Sequence, residues 1–476
     1  MDSPATLADL RERFASQRAA VAAEPAVAAS VRIDRLDRAI DLLITHQQAL
    51  CEALASDFGQ RSGELSRFMD LFPAVHGLKF ARKRVRRWMR PRRIRLGLPL
   101  GVPGVRGEVR PQPLGVVGIV CPWNFPIALS FGPLAGVLAA GNRCLIKPSE
   151  FAPSVAALLR ELVAKAFDSA ELAVIVGGEE LARAFVSLPF DHLLFTGSTA
   201  LGRRVMASAA EHLVPVTLEL GGKCPAIIGR SADLERAVDR LMLAKLANAG
   251  QMCLAPDYVW VAREAQAAFV AHVQRWTQRH YPGIPANDDY TSIINERHVA
   301  RLAALVEDAR AQGAEVIPLG SSPEQPQRSR CVSPALILGV GATMRVMQEE
   351  IFGPLIPVLA YERIDQALDE VSRGERPLAL YYFGEDRAEE ALVIARTSSG
   401  AVTVNDVATH FLAEELPFGG IGASGMGVYH GEHGFRRFSH ERAILHQGRL
   451  DIAGLVGLRP PYAPRLRRSL ALLLRR

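Results

Sequence analysis

Along residues 1 to about 90, apolar positions recur every three or four places, the period of a helix with one buried face. SPATLADLRERFASQRAAVAA reads as a first helix with Ser3 as its predicted cap. VRIDRLDRAIDLLITHQQALCEALASDF repeats the rhythm and puts Ile33, Leu36, Ile40, Leu43 and Ile44 on one predicted stripe. The passage LGLPLGVPGVRGEVRPQPLG then breaks the period and reads as turns and exposed strands.

From residue 115 short unbroken apolar runs take over: GVVGIV, CLIK, AVIVGG and HLLFTG. Helical patterns lie between them, in LSFGPLAGVLAAG, SVAALLRELVAKAF and EELARAFVSL. Strands alternating with helices predict an α/β fold with a largely parallel sheet. VPVTLELGG (214–222) reads as a boundary. A second alternating region follows to about residue 415, with strands predicted near AIIG, YVWVA, EVIPLG and AVTVND. Residues 416–440 are Gly-rich, and no internal repeat is evident.

With 476 residues the chain exceeds one compact core and is expected to form two or three domains. Hydrophobic residues at 49% and charged residues at 22% fit a globular protein and exclude a disordered one. No apolar run reaches the roughly 18–20 residues of a membrane span. The first residues lack the basic start and apolar block of a secretory signal, so the expected location is the cytoplasm. The six cysteines are scattered, without a CxxC pair or His partners at metal-site spacing, so neither a disulfide framework nor a metal centre is expected.

The net charge of +6 and a pI near 9.1 invite a polyanion partner. The charge is not evenly spread. FARKRVRRWMRPRRIRL holds nine basic residues and no acid, and the tail from Arg459 to Arg476 holds six more. Without these two blocks, 41 basic residues face 50 acidic ones. The body is net negative, so no nucleic-acid partner is expected.

Several segments carry candidate chemistry. In HLLFTGSTALGRR a strand runs into Gly197 and Ser198 and then a helix, which presents backbone N–H groups and a helix dipole to an anion such as pyrophosphate. It has neither the GxGxxG fingerprint nor the GK[ST] of a P-loop, and a plain strand–helix turn reads the same way. Cys253, in NAGQMCLAPDYVW, follows a helix and a glycine; a nucleophile and a buried structural thiol both fit that position. A nucleophile needs a base and an oxyanion donor. Glu219, ahead of a Gly-Gly turn, is a candidate for the first, and Asn124, between prolines in PWNFP, for the second.

Taken together, PWNFP, KPSE, FTGST, LELGGK, GQxC, EEIFGP and PFGGxGxSG stand in that order across most of the chain. This set resembles the aldehyde dehydrogenase superfamily from roughly residue 30 to 460. GQMCLAPDYV, VNDVATHFLAEELPFGGIGASGMGVYHG and FSHERAIL look like its class 3 branch, and are similar to bacterial coniferyl-aldehyde-dehydrogenase-like enzymes.

The resemblance implies a Rossmann-like cofactor domain (1–95 and 114–219), an α/β catalytic domain (220–420), an oligomerisation hairpin with its companion strand (96–113 and 441–458) and a basic tail (459–476). It implies Cys253 as nucleophile, Asn124 and the Cys253 N–H as oxyanion donors, and Glu219 as the base that activates water. Glu350 is expected to bind the nicotinamide-ribose hydroxyls, with Phe352 packed near that ring. Lys147 and Glu150 are expected at the adenosine ribose, and Gly197 and Ser198 at the pyrophosphate. A carboxylate at Glu150 repels a 2′-phosphate, which favours NAD over NADP. Gly222, Lys223, Asn405, Pro417, Phe418 and Gly419 also fit family motifs, in packing or direct roles. Met252 stands where class 3 relatives commonly carry Thr, which bears on pocket shape. Cys121 is expected to be a structural thiol.

The implied reaction is NAD(P)-dependent oxidation of a hydrophobic or aromatic aldehyde to its acid, in a homodimer. Alternatives are a fatty aldehyde dehydrogenase, a CoA-acylating enzyme (for which Glu219 would be superfluous) and a basic surface-binding protein. The tail SLALLLRR is too short to span a bilayer and leaves only weak contact with a membrane surface.

Overall fold

The helical period of the N-terminal region is realised as helices Leu7–Ala23, Ala29–Thr45, Gln47–Phe58 and Phe72–Trp88, the last preceded by a π-helical turn at Arg67–Leu71. The computed structural model describes residues 5–97, 100–101, 104–284, 286–320, 329–462 and 464–474, without the side chains of Ile452 and Leu455. Ser3 therefore lies outside the described residues. The first helix carries a capping box three residues later than that expectation: Asp9 N–H donates to Thr6 Oγ1 at 3.1 Å, and Thr6 N–H donates back to the Asp9 carboxylate at 2.8 Å.

The predicted stripe on Ala29–Thr45 needs correction. Leu36, Ile40 and Leu43 are buried, but Ile44 is 42% exposed, and Arg32 and Arg35 share the buried face. Arg32 is admitted because its guanidinium donates to the carbonyls of Val27 and Ala139, and Arg35 because it pairs with Glu171 at 2.9 Å. Hydrophobic periodicity does not register such long-range partners.

The chain forms two compact units: Met1–Trp88 with Pro113–Ser439, and Met89–Gln112 with His440–Arg476. In the smaller unit, β1 (Arg92–Ile94) is antiparallel to β2 (Arg106–Pro113). The larger unit contains β3 (Val116–Val120), β4 (Arg143–Lys147), β5 (Leu172–Val174), β6 (His192–Gly197) and β7 (Val216–Leu220). Next come β8 (Pro225–Ile228), β9 (Tyr258–Ala262), β10 (Glu315–Pro318), β11 (Ala335–Leu338), β12 (Leu355–Tyr361), β13 (Ala379–Phe383) and β14 (Ala401–Val404). The short β15 (Gly425–Met426) closes the unit, and β16 (Ser439–His446) completes a three-stranded sheet in the order β1-β2-β16.

A six-stranded sheet runs β15-β7-β6-β3-β4-β5, parallel except for β15. A seven-stranded sheet runs β10-β11-β12-β9-β8-β13-β14, parallel except for β10. This is the expected α/β fold with a Rossmann-like parallel sheet. The strands read as continuous apolar runs because helices cover both faces. VPVTLELGG, read from sequence as a boundary, contains β7, which pairs on both sides. The sixth strand, β15, comes from the Gly-rich segment, where no apolar pattern announces it.

Sheet register fixes where chemistry can gather. β3, β6 and β7 are parallel, so their carboxyl ends lie along one edge, the usual ligand side of an open α/β sheet. Asn124 follows β3, Gly197 ends β6, and Glu219 lies near the end of β7, directly beside Thr196 of β6.

Candidate active site

One cavity of about 480 Å³ opens at that edge. Its walls include Trp123, Asn124, Leu129, Thr196, Gly197, Ser198, Glu219, Cys253, Glu350, Phe352, Phe418 and Tyr429. Seven of the nine side chains or turns singled out from sequence thus meet in one place. The other two do not line it. Lys147 is buried with its ammonium on the Pro148 carbonyl at 2.7 Å, and Glu150 is exposed on the following turn.

Cys253 sits on a turn after the helix Leu234–Leu246 and is partly exposed to the cavity. The turn is reached through two left-handed residues, Asn248 (φ 51°) and Ala249 (φ 52°), a conformation costly for Ala. Gln251 holds it in place. The Gln251 side chain donates to the carbonyls of Asn248 (3.0 Å) and Ser292 (3.1 Å) and accepts from Ile294 N–H (2.9 Å). The carbonyl of Gln251 receives the Asn124 amide at 3.1 Å and the Asn248 amide at 3.2 Å. The Asn124 amide and the turn that carries Cys253 are therefore joined by a hydrogen bond.

Burial pushes the Cys253 thiol well above its ordinary value, and the acidic side chains Glu350 and Glu219 add to the effect. The thiol form is favoured at rest, so attack requires a base. Glu219 is 3% exposed, and neither carboxylate oxygen has a hydrogen-bond partner. Desolvation alone raises its pKa well above the usual carboxylate range, which makes it a stronger base than an exposed glutamate. An unpaired buried carboxylate costs stability, and such groups cluster at reactive sites.

Ser198 caps the helix Thr199–Ala210, accepting from Leu201 N–H at 3.4 Å, so the free N–H groups of that helix start at the cavity wall. Thr196 Oγ1 beside it is buried without a partner. Glu350 stands across from Gly221, where a Cβ would lie 2.2 Å from the Glu350 carboxylate; only glycine admits the carboxylate there. Burial pushes Glu350 up to about 8, with Asp257 adding to the effect. Phe352 holds a left-handed backbone (φ 47°) and meets Trp123 edge to face at 5.4 Å.

A second network shapes the Glu350 loop. Lys223 pairs with Asp257 and donates to the carbonyls of Val346 (2.7 Å) and Glu349 (3.1 Å). Asp257 accepts from Ile351 N–H at 2.9 Å, and Arg301 donates to the carbonyls of Glu350 and Ile351. Lys223 thus supports the loop from behind. Asn405 also has a structural place, exchanging hydrogen bonds with the backbone of Gly384 at 2.9 Å. Phe418, by contrast, is on the cavity wall. Cys121 is buried, accepts from Ser130 Oγ at 2.8 Å, and is pushed up to about 11 by burial.

Sequence reasoning overlooked Gln251, Asp257, Arg301 and the buried pair Arg61–Asp70. Gln251 had a signal, since it is the Gln of GQxC. Asp257 likewise stands in GQMCLAPDYV, whereas Arg301, Arg61 and Asp70 lie in ordinary helical or loop patterns and become meaningful only through their distant partners.

The Aldehyde dehydrogenase family matches residues 3–444. A probable coniferyl aldehyde dehydrogenase of Caulobacter vibrioides is 49% identical, over 99% of this chain and 98% of its own length. A coniferyl aldehyde dehydrogenase of a Pseudomonas species is 47% identical, over 93% of this chain and 92% of its own. Among solved structures, the substrate-bound state of Staphylococcus aureus AldH superimposes with a TM-score of 0.91 at 33% identity, covering 98% of this chain and 99% of that one. With the thiol-bearing turn, the buried glutamate and the strand-end cavity in place, the chain belongs to the aldehyde dehydrogenase family, oxidoreductases acting on aldehydes.

Proposed function

We propose that the chain oxidises a hydrophobic aromatic aldehyde, of the coniferaldehyde kind, to its carboxylic acid. The observation that carries this reading is the single cavity in which a turn-borne thiol, an amide donor and a buried unpartnered carboxylate face a wall of Trp123, Leu129, Phe352, Phe418 and Tyr429. An aryl ring matches that wall, and the coniferyl aldehyde dehydrogenases among the relatives support the choice.

Glu219 takes the Cys253 proton, and the sulfur adds to the aldehyde carbon. The Asn124 amide and the Cys253 N–H receive the negative charge that grows on the oxygen, which lowers the barrier. Bound NAD(P)⁺ supplies the acceptor for the hydrogen and electron pair leaving the carbon. After giving the cysteine proton up to solvent, Glu219 draws a proton from water as it attacks the thioester on Cys253 and passes that proton to the departing sulfur, releasing the acid and the thiol.

The residues present fit such a cofactor. The start of the helix Thr199–Ala210 offers N–H groups to a pyrophosphate, the orphaned Thr196 hydroxyl lies beside it, and Gly221 leaves room for Glu350 to accept from ribose hydroxyls. Lys147 and Glu150 are assigned to the adenosine ribose, and the exposed Glu150 carboxylate disfavours a 2′-phosphate, so NAD is favoured over NADP.

On the same reading, residues 1–95 and 114–219 bind the cofactor and 220–420 carry the catalytic cysteine. The segments 96–113 and 441–458 join two subunits in a homodimer. The tail 459–476 makes at most weak contact with a membrane surface; no helix among the described residues is long and apolar enough to cross one.

Steady-state rates with coniferaldehyde, benzaldehyde and a medium-chain alkanal, each with NAD⁺ and NADP⁺, test the proposal. The aromatic aldehydes with NAD⁺ should give the highest kcat/KM, and Cys253→Ser should abolish NADH formation. A clear preference for the alkanal, or a rate that requires coenzyme A, would reject it.

A further inference from the structure

Behind Asn124 lies a charged pair sealed from solvent. Arg61 and Asp70 are 2% and 0% exposed, with Arg61 Nη2 3.5 Å from Asp70 Oδ2. The Arg61 guanidinium lies between the rings of Phe58 (4.9 Å) and Phe125 (5.0 Å). Its Nη1 donates to the Asn124 carbonyl at 2.9 Å. Asp70, on the π-helical turn Arg67–Leu71, accepts with Oδ1 from Ile127 N–H (2.9 Å) and Ala128 N–H (2.6 Å). Those N–H groups begin the helix Ala128–Ala140, whose start carries no side-chain cap from its own preceding residue.

The short segment from Asn124 to Ala128 is thus clamped at both ends by one ion pair. Asn248 adds a weaker bond to the same carbonyl at 3.3 Å. The pair is a poor device for stability. Its desolvation is costly, and Arg61 Nε and Nη2 and Asp70 Oδ2 have no hydrogen-bond partner. What it supplies is geometry: Arg61 Nη1 holds the Asn124 carbonyl and Asp70 Oδ1 holds the Ile127 and Ala128 N–H groups, on either side of the short backbone that carries the Asn124 amide.

We infer that Arg61 and Asp70 are positioning residues for the oxyanion-binding amide of Asn124, acting through the Asn124 carbonyl and the Ile127 and Ala128 N–H groups. This rests on the proposed role of Asn124. An oxyanion donor acts over tenths of an ångström, so a loosened backbone weakens it without removing it.

The test is a double-mutant cycle of R61M and N124A on the full-length enzyme, with kcat and the NAD⁺ dissociation constant measured separately. N124A should lower kcat about 100-fold and R61M about tenfold, with NAD⁺ affinity unchanged in both. The double variant should match N124A within about twofold, because Arg61 has nothing left to position. Fold losses that multiply in the double variant, or a wild-type kcat for R61M, would overturn the inference. A wild-type kcat for N124A would overturn the Asn124 assignment and this inference together. If R61M does not fold, R61Q carries the same cycle. Its side chain ends short of the Asn124 carbonyl that Arg61 Nη1 reaches, and a wild-type kcat there would equally reject the positioning role.

Discussion

Glu350→Gln separates stability from function at one atom position. Burial moves the Glu350 carboxyl from its ordinary 4.5 up to about 8. The folded chain therefore holds a proton between these values that the unfolded chain has released. The stability due to this group is fully present below pH 4.5 and is lost as pH rises through about 8. At 1.36 kcal/mol per pH unit the span sets a ceiling of about 5 kcal/mol. Relaxation and partial hydration around a carboxylate at a cavity wall reduce this to about 2–3 kcal/mol. Glutamine keeps the shape and the acceptor that Gly222 N–H uses, and carries no titrating proton. The assay is the thermal midpoint of E350Q and wild type in parallel from pH 5 to 9. The difference should be near zero at pH 5, grow in favour of E350Q through pH 8 and level off above it, while the variant loses NAD⁺ affinity at every pH. A constant difference, or one favouring wild type at pH 9, would refute the argument that desolvation dominates at Glu350.

Glu219→Gln should slow both the first-turnover burst of NADH and the steady rate by at least about 100-fold, measured by stopped-flow absorbance, because one carboxylate both takes the Cys253 proton and activates the water. In wild type, the raised Glu219 pKa makes turnover fall as pH drops through it, and the pH–rate profile of E219Q should lose that limb. Gln251→Ala removes three side-chain hydrogen bonds from the left-handed turn before Cys253, so kcat should drop about tenfold or more while circular dichroism stays native. Gly221→Ala places a methyl group against the Glu350 carboxylate and should weaken NAD⁺ binding in fluorescence titration, with little change in the reactivity of Cys253 toward a thiol reagent.

Much of the site is legible along the chain because its pieces are local. Cys253 stands after a helix and a glycine, Glu219 before Gly-Gly, Asn124 between prolines and Ser198 at a strand–helix turn, and each is a backbone feature that neighbouring residues dictate. Period-3.6 and unbroken apolar runs likewise announce helices and buried strands, as in Val116–Val120 and His192–Gly197. The reading weakens where a residue's environment comes from far away. Ile44 fits the stripe by spacing yet faces solvent, while Arg32 and Arg35 take buried positions that spacing assigns to apolar groups. β15 has no pattern of its own, because a two-residue strand is defined by the edge it pairs with.

The amino-acid sequence by itself determined the alternation of strands and helices, the reactive residue types and their order. Only the tertiary structure decided that parallel β3, β6 and β7 bring Asn124, Thr196 and Glu219 to one edge, and that Lys147 and Glu150 stay off the cavity wall. It also decided that Arg61 and Asp70, separated from Asn124 by more than fifty residues of chain, hold its backbone. The physical reason is range. Backbone preferences and apolar periodicity act over a few residues, whereas desolvation and charge pairing depend on what packs alongside, and no local window contains that neighbour.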